Sequence, residues 1–115
     1  MKTIGFIITE VDIEGYASIS GDYNPVHLDS LYARDHGYKD KIAHGMLSMG
    51  KVWSVLSYHL LSNSEWPEKY ELKFLSPVYV GDIVTLNVEK HEEMILLNGL
   101  CSGKPILKGK ILLKT

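Results

Sequence analysis

Apolar and polar residues alternate along this chain in two rhythms, one of period two and one near 3.6. Residues 3–8 alternate, with Ile4, Phe6 and Ile8 on one face, which predicts a first strand. Thr9 with Asp12 three residues later is a capping-box signal, and predicts a short helix that stops at Gly21. A polar segment over 20–29 follows, after which Asp29 or Ser30 caps another short helix with Gly37 at its end. From Ile42 to Leu61 the period lengthens. Met46, Met49, Trp53, Leu56 and Leu60 line one helical face, and Leu47, Val52 and Val55 widen it. The positions between, Ser48, Gly50, Ser54 and Ser57, are small, so the pattern predicts a long buried helix as the spine of the domain.

Past the loop 62–68 the alternation returns. Tyr70, Leu72 and Phe74 form one apolar row, and Val84, Leu86 and Val88 a second. A third run spans Met94 to Cys101, and Ser102-Gly103-Lys104-Pro105 reads as a turn. In the last run Leu107, Ile111 and Leu113 face inward, while Lys108, Lys110 and Lys114 face outward. Short connectors between consecutive strands favour antiparallel pairing. The predicted class is α+β: a long central helix wrapped by an antiparallel sheet of about five strands, in a single domain over residues 1–115. Such a sheet leaves edges to be covered, which favours a homodimer paired edge to edge.

Composition narrows the range of partners. The 115 residues are 45% hydrophobic and 23% charged, as in an ordinary globular domain. A net charge of −2 with no basic run argues against nucleic acid. Cys101 stands alone, so neither a disulfide framework nor a cysteine metal cluster is expected. No apolar run reaches the roughly 20 residues of a membrane helix. The first ten residues lack the length and cleavage site of a signal peptide, so the expectation is a cytoplasmic protein without a membrane partner. His27, His36, His44, His59 and His91 form no i, i+4 pair and no HExxH spacing, so no metal site is expected. Neither a GxSxG elbow nor a glycine-rich dinucleotide fingerprint is present.

The chemistry concentrates in Ser20-Gly21-Asp22-Tyr23-Asn24-Pro25-Val26-His27-Leu28-Asp29. Asp22 and His27 are five positions apart, which leaves them about 140° apart on a helix and on opposite faces of a strand. A bend at Asn24-Pro25 brings them together, since proline fixes its own φ and biases the residue before it. Read locally, Asp22 also suits a turn, and His27 suits a hydrogen-bonded, half-buried position. Asn24 holds the bend, and Asp29 caps the next helix. Farther on, His44-Gly45-Met46 opens the long helix, whose free N–H groups favour developing negative charge. Glycine at 45 admits a close approach, because no Cβ stands in the way.

Asp22-Tyr23-Asn24-Pro25-Val26-His27, with Ser20-Gly21 before it and Leu28-Asp29 after, resembles the signature of MaoC-like, R-specific enoyl-CoA hydratases. Tyr32-Ala33 with Gly37-Tyr38, then Ile42-Ala43-His44-Gly45-Met46-Leu47, resemble that family's next helices. Leu72-Lys73-Phe74-Leu75-Ser76-Pro77-Val78-Tyr79-Val80-Gly81-Asp82 resembles its following strand and turn, so the likeness covers most of the chain. The resemblance implies a hot-dog fold and an enoyl-thioester hydratase or 3-hydroxyacyl-thioester dehydratase. Such an enzyme adds water to a trans-2-enoyl-CoA, or a carrier-protein thioester, to give the (R)-3-hydroxyacyl product.

The same resemblance makes Asp22 and His27 the dyad that grips the water, with His27 as base. It gives the Gly45 N–H to the oxyanion hole and leaves Asn24, Pro25 and His44 to support the site. Acid–base groups and an oxyanion hole suffice for this reaction, so no cofactor is expected. Two alternatives remain open: a hot-dog acyl-CoA thioesterase, and a non-catalytic acyl-thioester-binding or partner subunit. The loops are compact for the family, which leaves room for a second, different subunit or an abbreviated acyl pocket.

Overall fold

A computed structural model of the protein describes residues 1–114. Alternation sets the first strand, β1 (Lys2–Ile7), in which Ile4 and Phe6 are buried and their neighbours exposed. Thr9 then starts helix α1 (Glu10–Ser20) with a complete capping box. Its hydroxyl accepts from the Asp12 N–H at 3.0 Å, and the Asp12 carboxylate accepts from the Thr9 N–H at 3.0 Å. Gly21 ends the helix in the left-handed region at φ 76°, where glycine carries no Cβ penalty.

The segment after Gly21 is more ordered than a bend. Asn24 is the N-cap and Pro25 the first residue of a one-turn helix, α2 (Pro25–Leu28). The Asn24 side chain accepts from the Val26 N–H, and proline at the first helical position gives up only an N–H that has no helical partner. Asp29 caps α3 (Ser30–Asp35) by accepting from the Leu31 and Tyr32 N–H groups. That helix closes at His36, one residue before Gly37.

The long helix α4 (Gly45–Leu60) begins three residues after the predicted start. Its buried residues are Ser48, Val52 and Leu56; Leu56 belongs to the predicted stripe and Val52 to the positions that widen it, whereas Met46, at the head of that stripe, is 64% exposed. Large apolar side chains therefore occupy both sides of α4, and the sheet covers one of them. No described helix is long and apolar enough to cross a membrane.

Four further strands follow: β2 (Trp66–Phe74), β3 (Ile83–His91), β4 (Met94–Cys101) and β5 (Lys104–Lys114). The sheet is antiparallel in the order β1-β3-β4-β5-β2, so β2 and β3, consecutive in sequence, are not neighbours. Strands β1 and β2 are its edges. Val84, Leu86, Val88, Ile95, Leu97, Ile111 and Leu113 project from the strands into one core cluster with Val52 and Leu56 of α4. Tyr70 fastens β2 to the helix: its phenol donates to the Met49 carbonyl at 2.7 Å, and burial pushes its pKa up.

Candidate active site

Asp22, on the loop between α1 and α2, and His27, in α2, are brought face to face. Their Oδ2 and Nε2 atoms lie 3.7 Å apart. Local bonds set the carboxylate: its other oxygen, Oδ1, accepts from the Asn24 N–H at 3.1 Å, and the Asp22 N–H donates to Ser20 Oγ at 3.1 Å. Asn24 and Pro25 therefore hold both ends of the turn, one bonded to Asp22 and both starting the helix that carries His27. The Asp22 side chain is about half exposed, at 51%, whereas that of His27 is 11% exposed.

Tertiary contacts orient the imidazole. His27 Nδ1 lies 2.8 Å from the carbonyl oxygen of Ile42. A carbonyl only accepts, so in the neutral ring Nδ1 carries the proton and Nε2 keeps its lone pair. That lone pair is on the atom that faces Asp22. A gap of 3.7 Å is too long for a direct hydrogen bond, but one oxygen atom can bond to both groups across it.

His44, the N-cap of α4, is 3% exposed and links the two halves of the site. Its ring stacks on that of His27 with centroids 3.8 Å apart and planes 23° from parallel, and Tyr16 of α1 leans on it at 4.8 Å. His44 Nε2 donates to the main-chain carbonyl of Asp22 at 3.0 Å, fixing the loop that carries the carboxylate. Gly45 follows His44 in the chain, so the first free N–H of α4 is one residue from the stacked rings.

Gly45 also borders a slot of about 350 Å³ walled by Ile42, Ala43, Ser48, Phe74, Leu75, Ser76, Pro77 and Val78. Asp22 and His27 are not in its wall. The structure thus joins the dyad to Gly45 through His44 and the Ile42 carbonyl rather than across one cavity. A Cβ on residue 45 would meet Phe74 Cε2 at 3.8 Å, an ordinary contact.

Asp22, His27 and His44 each offer one ligand-type atom, and these atoms lie within 4.8 Å of one another. The grouping is tertiary, so spacing in the sequence does not reveal it. The two rings are stacked, so a metal in the plane of one would stand well out of the plane of the other. His27 Nδ1 and His44 Nε2 are in addition engaged with carbonyls.

In the sequence Ser48, Ser54 and Ser57 read as core-compatible small residues of the long helix, one of them a candidate to face substrate, and the structure puts Ser48 in the slot wall. Tyr16 and the Ile42 carbonyl were not legible as site groups, because they act through contacts between distant segments.

Residues 2–101 match the family model described as MaoC like domain. The chain is 34% identical over 110 residues to an (R)-specific enoyl-CoA hydratase of Rhodospirillum rubrum, covering 90% of this chain and 76% of that protein. It is 36% identical over 85 residues to a 3-hydroxybutyryl-CoA dehydratase of Methylorubrum extorquens, covering 74% of this chain but only 54% of that one. Among solved structures, an (R)-hydratase from A. caviae involved in PHA biosynthesis superposes with a TM-score of 0.84 at 25% identity, over 98% of this chain and 92% of the other. The R-hydratase PhaJ1 from Pseudomonas aeruginosa in unliganded form gives 0.82 at 32% identity, over 97% and 77%.

Proposed function

The chain belongs to the MaoC-like domain family and has its hot-dog fold, and from that premise we propose that it is a hydro-lyase acting on enoyl thioesters. Its reaction is the addition of water to a trans-2-enoyl thioester of coenzyme A or a carrier protein, giving the (R)-3-hydroxyacyl product, or the reverse dehydration. The relatives named (R)-specific enoyl-CoA hydratase and 3-hydroxybutyryl-CoA dehydratase support the reaction class. The observation that carries it is the disposition of the dyad. The His27 ring, with its Nδ1 proton tied to the Ile42 carbonyl, turns a free Nε2 lone pair toward the Asp22 carboxylate.

In the proposed mechanism one water bonds to both Asp22 Oδ2 and His27 Nε2. Its oxygen attacks C3 of the enoyl chain while Nε2 takes a proton, and the electron pair of the double bond shifts toward the thioester carbonyl. The Gly45 N–H donates a hydrogen bond to that oxygen as negative charge builds on it. A proton returned from the dyad to C2 completes the addition, so the elements of water add across the double bond and nothing else is consumed. Asn24, Pro25 and His44 position these groups and carry no proton in the cycle.

We further propose a homodimer. The free edge of β2 and the exposed Met46 and Tyr58 of α4, Trp66 and Phe74 of β2 and Leu75 just beyond it support this reading.

One assay tests the function. Purified protein is given a short trans-2-enoyl-CoA while the conjugated enoyl absorbance and the free thiol are followed together. Loss of absorbance without thiol is the expected result. Thiol release would mean a thioesterase, and binding with neither change a non-catalytic acyl-thioester-binding subunit.

A further inference from the structure

The slot beside Gly45 contains a polar group that the reaction described above leaves unused. Ser48 is 1% exposed and borders the slot, and its Oγ has no hydrogen-bond partner among the described residues. A serine inside a helix ordinarily disposes of its hydroxyl by bonding back to the carbonyl four residues earlier. Here the His44 carbonyl accepts the Ser48 N–H at 3.1 Å, and the hydroxyl makes no such bond. The wall is otherwise apolar apart from Ser76, whose hydroxyl donates to the Pro77 carbonyl. A buried hydroxyl held off its own helix destabilises the free protein unless something that enters the slot accepts from it.

Ser48 is three residues beyond Gly45 on α4, so the two share a helix face, and a helical side chain leans back over the preceding turn. That lean carries Oγ toward the end of the helix where the Gly45 N–H is free. We propose that Ser48 is a second donor of the oxyanion hole, its hydroxyl donating to the thioester carbonyl oxygen beside the Gly45 N–H. This inference rests on the hydratase reading and adds a substrate-contacting residue to it. No proton leaves Ser48: the bond shortens as charge builds on the oxygen and relaxes when C2 is protonated.

The test compares the wild-type protein with Ser48→Ala and Ser48→Thr, using a short trans-2-enoyl-CoA and a thermal melt of each. Ser48→Ala should lower kcat about 100-fold with little change in KM. Its melting temperature should stay level or rise, because an unpartnered buried hydroxyl has been removed. Ser48→Thr, which keeps a hydroxyl, should recover most of kcat. An alanine variant as fast as the wild type would overturn the assignment while leaving the hydratase reading intact. So would an alanine variant with a lowered melting temperature whose loss of kcat the threonine variant does not recover, since the residue would then be structural. A wild-type protein that does not hydrate the substrate would overturn both.

Discussion

His44 does the most at the scale of the single residue while standing outside the proposed proton transfers. It caps no helix with its side chain; instead it braces the His27 ring by stacking and the Asp22 loop by a hydrogen bond. Replacing it with phenylalanine keeps a ring in the stack but removes the donor to the Asp22 carbonyl. We expect His44→Phe to lower kcat about 10-fold with KM nearly unchanged, and His44→Gln, which retains an N–H donor, to recover part of it. Steady-state kinetics of both variants decide the matter, and a phenylalanine variant with wild-type kcat would remove His44 from the positioning role. Little of this was legible in the sequence. The Asp22–His27 spacing marks two groups that a turn could bring together, but the bonds that orient them run to Ile42 and His44, 15 and 22 positions away.

At the scale of the element, local signals fared better than facial ones. The capping box of α1, the Gly21 stop and the Asp29 cap were readable because each is a bond between residues two to four apart. The sequence of α2 suggests only a bend because four residues show no periodicity, although Asn before Pro is also a helix-start pair. On α4 the pattern places Val52, Leu56 and Trp53 toward the core, as the structure does, but adds Met46, which is exposed: apolar residues occupy both sides of the helix, and hydrophobicity alone does not say which side the sheet covers.

Two predictions belong to these helices. In α1, burial would raise the Asp12 pKa but is outweighed by the bonds from Lys51 and Thr9, so the carboxyl titrates below its ordinary range. A lowered folded value means that this stabilisation is present above the unfolded pKa and disappears as pH falls through the folded one. Asp12→Asn should therefore flatten part of the loss of stability in acid, measured by urea melts across the carboxylate range. In α4, Gly45→Ala meets no obstruction in the protein and gains helix propensity, so its melting temperature should hold or rise. Its methyl group enters the slot, and enoyl-CoA turnover should fall about 100-fold. An alanine variant with full activity would show that the thioester does not approach the Cα of residue 45 closely.

Considered as a whole molecule, the chain is elongated, with extents of 45 × 30 × 19 Å, a free β2 edge and apolar side chains left in solvent along α4 and β2. Sedimentation equilibrium should report twice the 13.0 kDa chain mass, and Trp66→Glu should shift the population toward the monomer. A wild-type monomer at micromolar concentration would refute the homodimer. Short connectors account for β3, β4 and β5 standing side by side, but the places of β1 beside β3 and of β2 beside β5 depend on long-range pairings that no local pattern records. The central claim is that the Asp22–His27 pair adds water to an enoyl thioester. Its most direct test is the initial rate of enoyl absorbance loss in the wild type, Asp22→Asn and His27→Ala, with circular dichroism confirming that all three are folded. The expected result is turnover in the wild type and a fall of at least about 100-fold in each variant. Folded variants that match the wild-type rate would contradict it.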